Sequence, residues 1–131
     1  MSEDQRKHLE LLQITITRMA VNSFLIKGWS VTLVAALFAL AAKDSDRSFA
    51  IVSYFPCILF WSLDAYYLAQ ERKFRSLYEA ARSGKAEVYS MNTQPHERER
   101  DTWISTMHST TLLLFHGTIV AVISGMMAIF K

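Results

Sequence analysis

The chain has 131 residues, of which 51% are hydrophobic and 20% charged, and its formal net charge is +2. This length leaves no room for a two-domain enzyme with a separate cofactor fold, the single cysteine Cys57 excludes a disulfide framework or a CxxC zinc site, and the small net charge argues against nucleic-acid binding. The mean hydropathy of +0.14 is high for a soluble domain and low for a protein made only of membrane spans, so we expect a membrane protein with sizeable polar parts.

The first predicted element is a helix that begins before the membrane and continues through it. Over 4–20, apolar side chains recur at helical spacing on one face: Leu9, Leu12, Ile16 and Met19. The apolar run 21–42 follows, interrupted only by Lys27, and is long enough to cross ~30 Å of hydrocarbon. A cleaved signal peptide is not expected, because several charged residues precede this run and no small-residue cleavage pattern follows a short apolar region.

The second predicted span, 48–68, follows a tight turn at 43–47, so the first two spans are expected to be antiparallel neighbours. Pro56 lies in the middle of this span and should remove one backbone hydrogen bond and bend the helix. The helix is predicted to continue over 69–82, where its apolar face includes Phe74, Leu77 or Tyr78, and Ala81.

The third predicted span, 108–130, carries no formal charge and follows a polar loop at 83–96 that contains the helix breakers Gly84 and Pro95. A helical extension over 97–107 is expected to lead into it. The alternative to three membrane spans is a buried helical hairpin of a soluble bundle, but three nearly adjacent apolar segments leave too little polar surface for that.

The distribution of Lys and Arg predicts the orientation of these spans. If the N-terminus lies in the cytoplasm, 11 of the 14 basic residues face inward and three face outward, and the positive-inside rule favours that arrangement. We therefore expect a single all-α membrane domain over 1–131, oriented N-in/C-out, whose three transmembrane helices extend into a small cytoplasmic helical bundle.

Three polar side chains fall at nearly one depth in the predicted spans. Lys27, Asp64 and His116 lie about 22, 24 and 21 Å from the outer ends of their helices at 1.5 Å per residue. A charge in hydrocarbon usually faces a partner inside the bundle, which predicts a pair between Lys27 and Asp64 with His116 nearby. The alternative is that Lys27 snorkels alone to the headgroups while Asp64 marks where its helix leaves the membrane. His116 is either a proton relay or gate, or a hydrogen-bonded packing residue.

Small residues recur every four positions on two of the predicted spans. The third span has Gly117, Ala121 and Gly125, and the first span has a matching strip that includes Gly28 and Ala36. Such strips allow another helix to approach closely. They favour a homo-oligomer, and the alternative is packing within one chain.

Aromatic and charged residues are densest where the second span ends. The aromatic residues Trp61, Tyr66 and Tyr67 suit the membrane interface, and the basic residues that follow suit anionic headgroups. The alternation of acidic and basic residues near Arg72, Arg75 and Tyr78 also fits a protein partner or a nucleotide phosphate.

The strings KGWSVTLVAALFALAAK and FWSLDAYYLAQERKFRSLYEAAR in this part of the chain resemble small bacterial inner-membrane proteins of the RipA type, which are oligomeric. More loosely, the long apolar helices with cytoplasmic extensions resemble the SLATT-type membrane effectors found beside antiphage systems, although this chain has three spans where that pattern commonly has two. The first resemblance implies a multimeric membrane protein without a defined reaction, and the second implies a pore or membrane-disrupting effector gated by a cytoplasmic sensor.

No enzyme activity is expected, because four scattered histidines, one cysteine and four glycines assemble no nucleophile–base pair, phosphate loop or metal cluster. No cofactor or metal is expected either. We expect an oligomeric bacterial inner-membrane protein that acts as a channel-like or membrane-perturbing effector in antiphage defence. Its expected partners are the lipid bilayer, further copies of itself, and a cytoplasmic protein or nucleotide signal. The alternative function is a membrane scaffold that anchors a cytoplasmic partner.

Overall fold

The computed structural model describes residues 1–44 and 47–129, and all regular structure within them is helical. The elements in chain order are α1 (Glu3–Asp44), α2 (Arg47–Val52), α3 (Tyr54–Arg82), 3₁₀ turns at Gln94–His96 and Glu99–Asp101, α4 (Trp103–Met107) and α5 (Thr110–Ile129). Three segments are long and apolar enough to cross a membrane: Glu3–Lys43, Ser48–Arg82 and Thr110–Ile129. The all-helical class and the three candidate spans are therefore confirmed.

Helix α1 is one continuous rod that combines the predicted extension and the first span. Its 42 residues make it about 63 Å long, roughly twice the thickness of the hydrocarbon core. Acidic Glu3 and Asp4 occupy its first turn, where they favour the positive end of the helix dipole. Leu12 and Ile16 on the predicted apolar face are buried. Helix α1 packs chiefly against α3.

The second predicted span is divided into α2 and α3 at Ser53. Pro56 explains the position of this break, because it has no N–H to donate to the carbonyl of Val52 and its ring clashes with that carbonyl. At this interruption the Ser53 hydroxyl donates to the Ala50 carbonyl of the preceding turn at 2.6 Å. The helix is thus interrupted about one turn before the proline. Residues 45 and 46 of the predicted turn at 43–47 lie outside the described residues.

The third helix differs from the prediction. In place of a continuous helix over 97–130, the chain forms a 3₁₀ turn and the short helix α4, and α5 begins only at Thr110. Thr102 is extended, and its hydroxyl accepts the Ser105 backbone N–H at 3.2 Å, so it caps α4 as a new helix start. Serine and threonine side chains near the break compete with the helix for backbone groups. Phe130, the predicted end of the span, lies outside the described residues.

Helix α4 lies against the middle of α3 through indole and hydroxyl hydrogen bonds to backbone carbonyls. The Trp103 indole N–H donates to Ser62 at 3.0 Å, and the Thr106 hydroxyl donates to Ala65 at 2.8 Å. In return, the Trp61 indole N–H donates to the Met107 carbonyl at 3.1 Å. These bonds fix the connection between α3 and α5 beside the candidate site.

Helices α1, α3 and α5 meet in a small core of Val34, Cys57 and Ile123. Their outer faces are apolar and open: Phe24, Phe55 and Leu114 are 75%, 73% and 72% exposed. An uncovered apolar surface of this kind is expected of helices surrounded by lipid. The fold is therefore consistent with a membrane protein.

Candidate functional site: a buried charged cluster

The carboxylate of Asp64 joins all three long helices. On α1, the Lys27 ammonium lies 2.6 Å from Asp64 Oδ2, and the Ser23 hydroxyl donates to Asp64 Oδ1. On α5, His116 Nε2 lies 2.8 Å from Asp64 Oδ2. Ser23 also accepts from Lys27 at 2.9 Å, so the four side chains form one network.

The cluster is closed to the outside almost completely. The side chains of Asp64 and His116 are 0% exposed, and that of Lys27 is 18% exposed. Of the two sequence-based alternatives for Lys27, the structure thus has the ion pair and not the snorkelling side chain. A buried carboxylate needs this many donors, because an unpaired charge in a low-dielectric interior is strongly unfavourable.

The aromatic rings of Trp61 and Phe115 pack against the imidazole of His116. The Trp61 ring stacks on His116 with centroids 5.8 Å apart and planes 9° apart, and Phe115 meets the same imidazole edge-on at 5.0 Å. Lys27 Nζ lies 5.9 Å from the centroid of Phe115, within cation–π range. Trp61 was predicted as an interfacial residue, and it is half-buried beside the cluster with its indole N–H bonded to Met107.

The two ring nitrogens of His116 differ in their hydrogen bonding. With Nε2–H donating to the ionised Asp64, Nδ1 is buried and no described residue hydrogen-bonds to it. The cluster can therefore neutralise a buried ammonium and keep one imidazole nitrogen free of protein partners. Chemically, it can hold the three helices together and share a proton between His116 and Asp64.

Sequence reasoning predicted Lys27, Asp64 and His116 and missed Ser23. Ser23 lies one helical turn before Lys27, so its position on the same face of α1 was the available signal. The predicted interfacial residues Tyr66 and Tyr67 form no hydrogen bond with the cluster in the described part of the chain. Tyr66 is 50% exposed, and its ring meets that of Tyr67 edge-on at 5.5 Å.

The small residues of the predicted strips lie on outward faces. Gly28, Ala36, Ala121 and Gly125 are exposed and Gly117 is half-buried. Apart from its chain neighbours and the backbone of its own helix turn, a Cβ atom built on Gly28, Gly117 or Gly125 would have no heavy atom within 4 Å. Packing within one chain, the alternative explanation of the strips, therefore does not account for these glycines.

Arg72, Arg75 and Tyr78 lie near the C-terminal end of α3, away from the buried cluster. Arg72 donates to the Arg100 carbonyl at 2.8 Å, Arg75 pairs with Glu71 at 2.8 Å, and Tyr78 is half-buried. Over the described part of the chain, no group of three or more His, Cys, Asp or Glu side chains is placed to hold a metal ion.

Comparisons with protein-family models, with curated proteins and with solved structures find no match to this chain.

Proposed function

We propose that this chain is a homo-oligomeric protein of the bacterial inner membrane, oriented N-in/C-out, that acts as a channel-like or membrane-perturbing effector in antiphage defence. In this proposal the first part of α1, the end of α3 and the connection 83–109 form a cytoplasmic bundle that receives the signal. The observation that carries the proposal is the pair of small-residue strips on the outward faces of α1 and α5.

Helical geometry places both strips opposite the core. At 100° per residue, Gly117, Ala121 and Gly125 lie on the side of α5 opposite its buried residues Leu112 and Ile123. The strip on α1 lies opposite that helix's own buried face in the same way. Small-residue faces that are open in one protomer allow close helix contact with another copy.

The pairing of the charged groups favours a water-filled path between protomers and not a path through a single protomer. The charged groups of the cluster are bonded to one another inside the protomer, so they line no open channel there. The strip on α5 is flanked by exposed Thr118, whose hydroxyl donates to the Leu114 carbonyl of its own helix. An axis built from several copies of this face would be lined by small and hydroxylated residues, which suits a water-filled path.

Disulfide crosslinking tests the oligomer. In a Cys57→Ala background, Ala121→Cys should form crosslinked dimers in native membranes on mild oxidation. Ile58→Cys is the matched control, because it is 58% exposed on α3 at a similar predicted depth. Crosslinking at Ile58→Cys equal to that at Ala121→Cys, or none at either position, would contradict the proposed interface.

Membrane-potential dyes test the effector activity. Expression with phage challenge should depolarise cells. Gly125→Leu, which fills the strip at an exposed position, should abolish depolarisation and, in the Ala121→Cys/Cys57→Ala background, crosslinking. Crosslinking by the wild-type interface without depolarisation would refute the effector and leave the oligomer in place.

A scaffold is the second candidate, favoured by the ordered connection 83–109. His8 Nε2 donates to the Ser90 carbonyl at 2.7 Å, and the Tyr89 hydroxyl donates to Asp4 at 3.0 Å, so this segment is held on α1 as a platform. Copurification with the product of a neighbouring gene at fixed stoichiometry, without any conductance in planar bilayers, would support the scaffold over the effector.

A further inference from the structure

A small cleft rich in arginine lies between the end of α3 and the 3₁₀ turn at Glu99–Asp101. Its volume is about 100 Å³, and its lining includes four arginines and two acids: Arg72, Arg75, Arg98, Arg100, Glu79 and Asp101. Two of the arginines come from α3 and two from the connection that follows it. The cleft is separate from the buried cluster, and none of its lining residues belongs to the ion pair or to the small-residue strips.

Both acids in the cleft already have hydrogen-bond or ion-pair partners. Asp101 is 2% exposed and accepts the Ser76 hydroxyl at 2.6 Å and the Arg98 backbone N–H at 2.9 Å. Glu79 pairs with Arg82 at 2.7 Å. Within the described residues, no acid forms an ion pair with Arg98 or Arg100, so the positive charge of the cleft exceeds what its acids neutralise.

The arginines of α3 are held in place and still have donors to spare. One N–H group of Arg72 donates to the Arg100 carbonyl at 2.8 Å, which ties the two halves of the cleft together. Arg75 uses two N–H groups on Glu71 and remains 59% exposed. A guanidinium has five N–H donors, so each of these side chains can bind a further acceptor.

We propose that this cleft binds a phosphate group, carried by a phospholipid headgroup or by a soluble phosphate compound. Planar guanidinium groups match phosphate oxygens in pairs, and several of them converge here without acid partners of their own. The volume corresponds to about three water molecules, which suits a phosphate group and not a whole organic ligand.

The position of the cleft makes a lipid headgroup one realistic source. Arg72 lies about 6 Å beyond residue 68, where the predicted span ends, and this is the level of the headgroups. A wider groove of about 630 Å³ continues from the cleft along Arg98, Arg100 and Ile104. Ile104 is 69% exposed and is the apolar side chain in a lining that also contains Glu99, Thr102 and Ser105, so an acyl chain beside the headgroup would contact Ile104.

Two binding experiments separate the sources. Native mass spectrometry of the full chain in neutral detergent, with added phosphatidic acid or phosphatidylcholine, tests the headgroup. Calorimetry of the same protein with inorganic phosphate or pyrophosphate tests a soluble compound. We expect saturable binding in at least one arm. Preference for phosphatidic acid alone assigns the headgroup, and binding of the soluble anions alone assigns a soluble ligand.

The variants decide whether the cleft is the site. Arg98→Gln/Arg100→Gln should weaken binding about tenfold or more, because two charge-assisted donors are lost from exposed side chains that make no ion pair. Arg98→Lys/Arg100→Lys should recover part of the affinity, because the charge returns without the paired geometry. The matched control is Arg6→Gln/Arg18→Gln, which removes two exposed arginines elsewhere and should change the affinity by less than about twofold.

No saturable binding in either arm would overturn the proposal, as would equal loss in the cleft variant and the control. Circular dichroism of each variant reports its helix content, and if the double variant unfolds, the single variants Arg98→Gln and Arg100→Gln replace it. Neither readout involves membrane permeability, so failure here is distinguishable from failure of the proposed effector activity.

Discussion

Lys27 Nζ lies 2.6 Å from Asp64 Oδ2, and this ion pair joins α1 to α3 inside segments apolar enough to span a membrane. The same carboxylate oxygen accepts from His116, so one side chain connects α1, α3 and α5. Side chains of α1 and α5 also meet in the core of Val34, Cys57 and Ile123, so Asp64 adds a polar link to this apolar contact.

Removing Asp64 should be more harmful than removing Lys27. Asp64→Asn leaves a buried ammonium with no counter-charge and should lower the free energy of unfolding by roughly 3–5 kcal/mol, whereas Lys27→Met leaves Asp64 with His116 and Ser23 as donors. The double variant should be more stable than the sum of the single effects predicts. Unfolding by SDS titration in mixed micelles measures all three, and strictly additive losses would show that the pair contributes nothing.

His116→Gln should be tolerated better than His116→Leu. Glutamine can still donate a hydrogen bond to Asp64, but leucine cannot, and the lost bond to a buried carboxylate should lower the free energy of unfolding by about 1–3 kcal/mol. Leu114→Ala on the outward face of α5 is the control, because it is 72% exposed and should change stability little. The prediction fails if the glutamine and leucine variants unfold at the same SDS fraction.

Pro56→Ala should remove the interruption between α2 and α3. Alanine restores the N–H that the Val52 carbonyl lacks, so the two helices can merge and α2 should move relative to α5, against which it packs. Spin labels at Ile51 and Val122, both about half-exposed, report this distance by pulsed EPR in a Cys57→Ala background. A distribution identical to that of the parent would show that the proline does not cause the break. The exposed substitution Leu59→Ala serves as the control.

Thr106→Val should release α4 from α3. The Thr106 hydroxyl is fully buried and lies 2.8 Å from the Ala65 carbonyl and 2.7 Å from the Trp103 carbonyl, so valine keeps the shape and removes the donor. Hydrogen–deuterium exchange should rise over 99–109 and stay unchanged in the first half of α1. Exposed Thr111→Val provides the comparison, and an equal rise in that variant would refute a specific anchoring role.

The contact between Tyr89 and Asp4 should weaken in alkali. The hydroxyl of Tyr89 donates to the Asp4 carboxylate at 3.0 Å, which raises the pKa of Tyr89 above its ordinary value of 10.0. Because the folded pKa exceeds the unfolded one, the contribution to stability is complete below about pH 10 and is lost as the pH rises through the raised pKa. The difference in absorbance at 295 nm between the parent and Tyr89→Phe reports this titration, and Asp4→Asn should return it to the ordinary range. Identical titrations with and without Asp4→Asn would contradict the assignment.

Much of the fold was predictable because helical periodicity and span length are local properties of a chain. The apolar face through Leu12 and Ile16, the three apolar segments and the disturbance caused by Pro56 are each encoded within a few turns. The break before Thr110 was missed because single serines and threonines are compatible with a helix, and only the structure shows that the Ser109 hydroxyl accepts the Leu112 backbone N–H where α5 begins.

Sequence alone predicted that Lys27, Asp64 and His116 share one depth, since the expected depth follows from the rise per residue along each helix. Tertiary structure decided that they touch, because contact depends on the rotation of each helix about its axis and on what packs between them. It also brought Ser23 and Trp61 to the cluster and Arg98 and Arg100 to the cleft beside α3. Rotation and long-range approach arise from the packing of whole helices, and no local pattern records them.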